Sequence, residues 1–130
     1  MTRILIVEDD ELFRKSLKRA LRRDGYYVVE AAGTEDAIPQ IELHKFDLVI
    51  TDWKLPVSDG FDVLRAVRDL RPQTPSILIS GYLGPLEIAE AKRLGASSVL
   101  TKPVSADALR SAVLMALFAR NSSPRVKWLE

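Results

Sequence analysis

Asp52 closes an apolar run, Phe46-Asp47-Leu48-Val49-Ile50-Thr51, and a turn follows at once, Trp53-Lys54-Leu55-Pro56 and then Gly60. A carboxylate where a buried strand gives way to a loop is poorly placed for packing and well placed for chemistry. Ligands of open α/β sheets bind outside the carboxyl ends of the strands. Other short apolar runs also end in reactive groups: Val7-Glu8-Asp9-Asp10, Ser80-Gly81 and Thr101-Lys102-Pro103. A carboxylate can act as a nucleophile toward phosphorus and form an aspartyl phosphate. A neighbouring ammonium would neutralise the phosphoryl oxygens, and a hydroxyl could turn toward them. Carboxylates that share one cleft repel unless a cation sits between them. Oxygen donors with no cysteine favour Mg²⁺ for that role.

These groups meet only if the chain brings the four strand ends together. Ile4–Val7 is a continuous apolar run, as expected of a strand buried on both faces. Residues 10–23 read as a helix with Phe13, Leu17, Ala20 and Leu21 on one face, stopped by Asp24-Gly25. Residues 27–31 predict a second strand. Thr34 reads as the cap of a helix through about Leu43, with Glu35 and Asp36 in its first turn. Pro39 removes a hydrogen bond there, so that helix is expected to start late or kink. Residues 48–51 predict strand three, 60–70 a helix, 76–80 strand four, and 98–101 strand five. Pro85 suits the first turn of a helix ending at Gly95. Ser105 can cap a last helix to about Arg120, and 121–130 reads as a tail or the start of a linker.

Strict alternation of five strands and five helices implies α/β architecture: a doubly wound (βα)5 sandwich around a five-stranded parallel sheet. With strands one, three, four and five as neighbours, their tips would lie roughly 5 Å apart sideways.

The chain has 130 residues, enough for one domain with one core. It is 47% hydrophobic and 28% charged with a net charge of +1, which offers no overall field for nucleic acid. It has no cysteine, so disulfides and thiolate metal sites are excluded. The apolar runs are too short for a membrane span, and the start is too short and too soon acidic for a signal peptide. A cytoplasmic protein is expected.

Taken together, the motifs resemble the receiver domain of two-component response regulators. The resemblance rests on Glu8-Asp9 after Ile4-Leu5-Ile6-Val7, Asp52-Trp53-Lys54-Leu55-Pro56 with Asp59-Gly60, Ser80-Gly81, and Gly95-Ala96 leading to Lys102-Pro103. It covers residues 3 to about 120. It implies the flavodoxin-like strand order 2-1-3-4-5, with Asp52 as phosphoacceptor. Asp9 would be the direct Mg²⁺ ligand, Glu8 would reach the metal mainly through water, and the Lys54 carbonyl would complete the protein ligands. Ser80 would be the switch hydroxyl, Lys102 the partner of the phosphoryl group, and Pro103 would follow a cis peptide. Partners implied are a sensor histidine kinase or a histidine phosphotransfer protein, with Leu12 and the first helix as docking candidates. Residues 85–120 would form the output or homodimer surface.

One position departs from the pattern. An aromatic ring is usual three residues before the lysine; here Val99 stands there, so the usual coupled switch is not expected unless Tyr82 substitutes sterically. The Lys54 side chain would overhang the pocket and influence phosphate lifetime. Plainer readings stand beside these. A lone Asp after a strand is usually a turn former, and Asp10 reads as a helix cap where Asp9 reads as a ligand. The basic residues of the first helix read as a solvated face, His44 as a helix-end surface residue, and Trp53 as a partly exposed ring. Two other functions remain open: a pseudo-receiver that works without phosphate, and a haloacid-dehalogenase-type phosphohydrolase. The second would need an acid where Lys54 stands.

Overall fold

The computed structural model describes residues 1–127, with side chains through Ala119. The elements alternate throughout: β1 (Arg3–Val7), α1 (Glu11–Arg23), β2 (Tyr27–Ala31), α2 (Thr34–Leu43), β3 (Leu48–Asp52), α3 (Gly60–Leu70), β4 (Ser76–Ser80), α4 (Pro85–Arg93), β5 (Ala96–Thr101) and α5 (Ala106–Lys127). All strand pairs are parallel, in the order β2-β1-β3-β4-β5. The expected doubly wound (βα)5 sheet is therefore present, with both faces covered by helices.

Strand side chains alternate between the two faces, which is why fully apolar runs were needed. Ile4, Ile6, Ile50, Ile77 and Ile79 pack against Leu17 and Leu21 of α1 and Leu109 and Val113 of α5. Leu5, Val7 and Val49 face the other way, onto Ala37 and Ile41 of α2 and Val63 and Val67 of α3. A smaller cluster of Leu64, Leu78, Ala91, Leu94 and Ala96 seats α4.

Local signals explain most boundaries. Asp10 caps α1, its Oδ1 accepting from the amides of Leu12 and Phe13 at 3.0 and 3.2 Å. Asp59 does the same for α3 through the Phe61 amide at 2.9 Å. Gly25 and Gly95 follow α1 and α4 with φ of 93° and 98°, the left-handed region that suits a helix stop.

Several expectations shift. The cap position of α2 is Gly33, which offers no side-chain bond, and Thr34 is the first helical residue. The Thr34 hydroxyl instead accepts from Ser58 Oγ, tying α2 to the loop after β3. Pro39 lies inside α2 without delaying its start. β3 includes Asp52 itself, and β5 begins two residues early, directly after Gly95. α5 runs on to Lys127 instead of ending near Arg120. The Ser-Ser-Pro composition reads as a linker, yet the helix continues through Ser122, Ser123 and Pro124. Residues 128–130 of the expected tail lie outside the described residues.

Candidate active site

The β1–β3–β4–β5 order places Glu8, Asp52, Ser80 and Lys102 at adjacent strand ends. The register fixes their depth: Val7 pairs with Thr51, Asp52 with Ile79, and Ser80 with Thr101. Asp52 is pinned by close backbone contact. Gly60 donates its amide to the Trp53 carbonyl at 2.6 Å, and a Cβ on Gly60 would stand 2.2 Å from the Asp52 carbonyl oxygen. Only glycine lets α3 begin so near the end of β3. The Lys102 amide donates to the Ser80 carbonyl at 2.7 Å, which carries the β4–β5 pairing one step past the strand. The Lys102–Pro103 peptide is cis, as the resemblance implied.

At the centre is one ammonium between two carboxylates. Lys102 Nζ donates to Glu8 Oε1 at 2.9 Å and to Asp52 Oδ2 at 3.3 Å. The Phe13 ring of α1 lies beneath it, 4.5 Å from Nζ to the centroid, a cation–π contact. Glu8 is fully engaged: its Oε2 accepts from the Asp10 amide at 3.0 Å, and its carbonyl accepts from Arg14 at 2.8 Å. Asp52 Oδ1 accepts from the Trp53 amide at 2.9 Å. Both carboxylates are buried, whereas Asp9 is exposed.

The charges are unbalanced. Burial pushes the Asp52 carboxyl above its ordinary range; Lys102 and the Trp53 amide pull back, and Asp9 adds repulsion. Burial also raises Glu8, against the Asp10 amide and Lys102, with the Asp52 charge adding to the rise. Burial works against the Lys102 ammonium, yet the Glu8 and Asp52 carboxylates outweigh it and hold its pKa above the usual value. Three carboxylates against one lysine leave a deficit of positive charge.

Glu8, Asp9 and Asp52 present carboxylate oxygens that all lie within 4.8 Å of one another. Such a set of hard donors fits a metal ion of the Mg²⁺ type, which needs few protein ligands. The cleft around them, about 700 Å³, is also lined by Asp10, Trp53, Lys54, Leu55, Pro56, Ser80, Gly81, Tyr82 and Lys102.

Ser80 lies in this cleft but faces its own backbone. Its hydroxyl donates to the Tyr82 carbonyl at 3.0 Å and accepts from the Tyr82 amide at 3.2 Å. Val99 packs, as do Trp53, Phe61 and Leu83, against the buried cluster of Leu64, Leu78, Ala91, Leu94 and Ala96. Trp53 and Phe61 stack at a tilt, centroids 6.0 Å apart. Tyr82, the other ring near the cleft, is 78% exposed. Trp53 is partly exposed, as expected, and its buried Nε1 has no acceptor among the described residues.

Two residues near the site escaped the reading of the sequence. The basic pattern of α1 puts Arg14 on a solvated face, but its side chain is only 13% exposed and bonds Glu8 and Glu30. The apolar pattern puts Phe13 on the core face, and its ring also meets Lys102. The available signal was Glu30, an acid inside an otherwise apolar strand beside a basic helix.

Comparison with known proteins agrees with this geometry. The profile of the response regulator receiver domain matches residues 4–114. Transcriptional regulatory protein PdtaR of Mycobacterium tuberculosis is 36% identical over 116 residues, covering 88% of this chain and 56% of that protein. Response regulator protein FleR of Pseudomonas aeruginosa is 36% identical over 107 residues, 82% of this chain and 23% of FleR. The chain thus spans about half the length of the first relative and about a quarter of the second. The crystal structure of a CheY-like receiver domain protein from Methanospirillum hungatei superposes with a TM-score of 0.91 at 31% identity, covering 95% of this chain and 98% of that one. The chain belongs to the response regulator receiver domain family of two-component signalling.

Proposed function

We propose that this receiver takes a phosphoryl group from the phosphohistidine of a sensor kinase or histidine phosphotransfer protein onto Asp52. The observation that carries the reading is the Lys102 ammonium shared between Glu8 and Asp52 at the mouth of an acidic cleft. An ionised Asp52 oxygen attacks phosphorus, an O–P bond forms, the P–N bond breaks, and the imidazole nitrogen keeps the electron pair. The Trp53 amide fixes the carboxylate plane by holding Oδ1. Lys102 hands its hydrogen bond from a carboxylate to a phosphoryl oxygen, and Ser80 leaves the Tyr82 carbonyl to donate to another.

Glu8, Asp9, Asp52 and the Lys54 carbonyl would hold Mg²⁺, which when bound neutralises the carboxylates and the transferring oxygens. The result is a phosphorylated signalling domain, not a turnover enzyme. Phosphorylation favours a minor conformation of the loops after β3 and β4 and of α4, read by an output domain or a second copy across 85–120. We place this function in the cytoplasm; no helix among the described residues is long and apolar enough to cross a membrane.

Lys54 is exposed where a haloacid-dehalogenase-type enzyme needs a general acid, which disfavours that reading. The complete set of acids, lysine and hydroxyl disfavours a phosphate-independent receiver.

Incubation with Mg²⁺ and a small-molecule phosphodonor tests the proposal. The intact mass is expected to rise by one phosphoryl group in wild type and not in Asp52→Ala. A gain that persists in Asp52→Ala, or none in wild type, refutes it.

A further inference from the structure

Arg14 occupies a position that the phosphotransfer chemistry does not use. Its Nη1 donates to the Glu8 carbonyl at 2.8 Å, while its Nε donates to Glu30 Oε1 on β2 at 2.9 Å. Glu30 is in turn held by Lys15 and Lys18 of α1, at 3.0 and 2.9 Å. Burial opposes its charge, but Lys18, Arg14 and Lys15 together hold the Glu30 carboxyl down to about 2. The anchor is therefore ionised at every physiological pH.

The Glu8 carbonyl stands at a break in the sheet. The Glu8 amide still follows the β1–β2 ladder, donating to the Ala31 carbonyl at 3.0 Å. The chain then turns away toward the Asp10 cap, and the guanidinium supplies the carbonyl with a donor in place of the next strand bond. This matters most for Asp9. Its carboxylate is exposed, and no hydrogen bond among the described residues holds it, so its backbone alone places it.

We propose that Arg14 is a positioning residue for the divalent-cation site: by bridging Glu30 to the Glu8 carbonyl it sets the path of the chain out of β1 and so aims Asp9. The inference rests on the reading of Glu8, Asp9 and Asp52 as a cation site. The guanidinium is suited to the task because separate edges of one rigid plane serve separate acceptors. A lysine ammonium on its flexible stem does not reproduce that bridge.

The sign of the effect distinguishes positioning from charge. Removing a cation near an acidic site should tighten Mg²⁺ through space, whereas loss of positioning should weaken it. Titrating the full chain with MgCl₂ by calorimetry is expected to give a dissociation constant about 10-fold weaker in Arg14→Ala than in wild type. Arg14→Lys, which keeps the charge and is the safer variant for folding, is expected to weaken binding in the same direction. Arg71→Ala is the stability control, because Arg71 donates to the Ile41 and Glu42 carbonyls away from the site, at 3.0 and 3.1 Å. It should lower the melting temperature with Mg²⁺ affinity unchanged. Metal-free amide exchange should quicken at Asp9 and Asp10 in both Arg14 variants.

Unchanged or tighter Mg²⁺ binding in Arg14→Ala, full affinity in Arg14→Lys, or unchanged exchange at Asp9 and Asp10 overturns the assignment of Arg14 alone. Failure of wild type to bind Mg²⁺ overturns the cation site and this inference with it.

Discussion

Lys102 is bound more closely to Glu8 than to Asp52: its Nζ lies 2.9 Å from Glu8 Oε1 and 3.3 Å from Asp52 Oδ2. In this state the lysine chiefly neutralises Glu8, the buried acid directly after β1. On the proposed reading, delivery of a phosphoryl group to Asp52 would include a change of partner at Lys102. Lys102→Met keeps the stem and removes the charge, leaving Glu8 and Asp52 facing each other unpaired. Phosphorylation from a small donor is expected to slow by about 10²-fold, in the range seen when one stabilising donor is removed. A rate within twofold of wild type would show that the ammonium contributes little.

Asp52 strains the fold that holds it. Its folded pKa is raised, chiefly by burial, so its charged form at neutral pH is disfavoured relative to the unfolded chain. Asp52→Asn removes the charge at similar size and is expected to melt about 4 °C higher than wild type in EDTA. Mg²⁺ should narrow that gap by stabilising wild type only. A lower melting temperature for the variant in EDTA would contradict the sign of the electrostatics.

Glu30 predicts acid sensitivity of the opposite sign. Its folded pKa of about 2 lies below its ordinary value of 4.5. The stabilisation is present above the unfolded value, and it disappears as the pH falls through the folded one. Direct conversion gives an upper bound of about 3–4 kcal/mol, and solvent screening of the three cations brings the expected contribution down to about 1 kcal/mol. Between about pH 5 and pH 2, wild type should lose more stability than Glu30→Gln. Denaturant melts across that range provide the check; parallel pH curves would mean that the three cations do not act through Glu30.

Gly60→Ala tests how tightly α3 presses on β3. The added Cβ would meet the Asp52 carbonyl at 2.2 Å and Trp53 Cα at 3.0 Å, both backbone atoms. The end of β3 must shift, and the variant is expected to lose about 2 kcal/mol or more, with slower phosphorylation. A variant with native stability and rate would show that the loop after β3 has slack.

Val99→Tyr asks whether the missing ring can be restored. Val99 already shares its cluster with Trp53, Phe61 and Leu83. Overpacking is expected to cost about 1–3 kcal/mol. The fluorescence of Trp53 should report the displaced neighbours, against a Trp128→Phe background. An unchanged spectrum and melting temperature would mean that space for a ring is already present.

Much of this protein could be read along the chain. The both-face burial of β1, β3 and β4 writes continuous apolar runs, so Glu8, Asp52 and Ser80 stand out where the runs stop. Right-handed crossovers leave few ways to arrange five such strands, so the neighbourhood of Asp52 and Lys102 was readable although 50 residues separate them. The cap at Asp10 depends on amides two and three positions away, and a local signal of that kind is legible; Thr34, read as the cap of α2, is its first helical residue and bonds Ser58, 24 residues on, a contact no local pattern encodes.

What only the tertiary structure decided is the choice of partner. Lys102 has two carboxylates within reach and favours Glu8, 94 residues away. Ser80 satisfies itself on Tyr82. Arg14 leaves the solvated face assigned to it for a buried carbonyl and an acid on β2. Each of these outcomes is a competition among hydrogen-bond partners separated by ångströms, and residue order constrains which groups arrive at the cleft without ranking the distances between them once they are there.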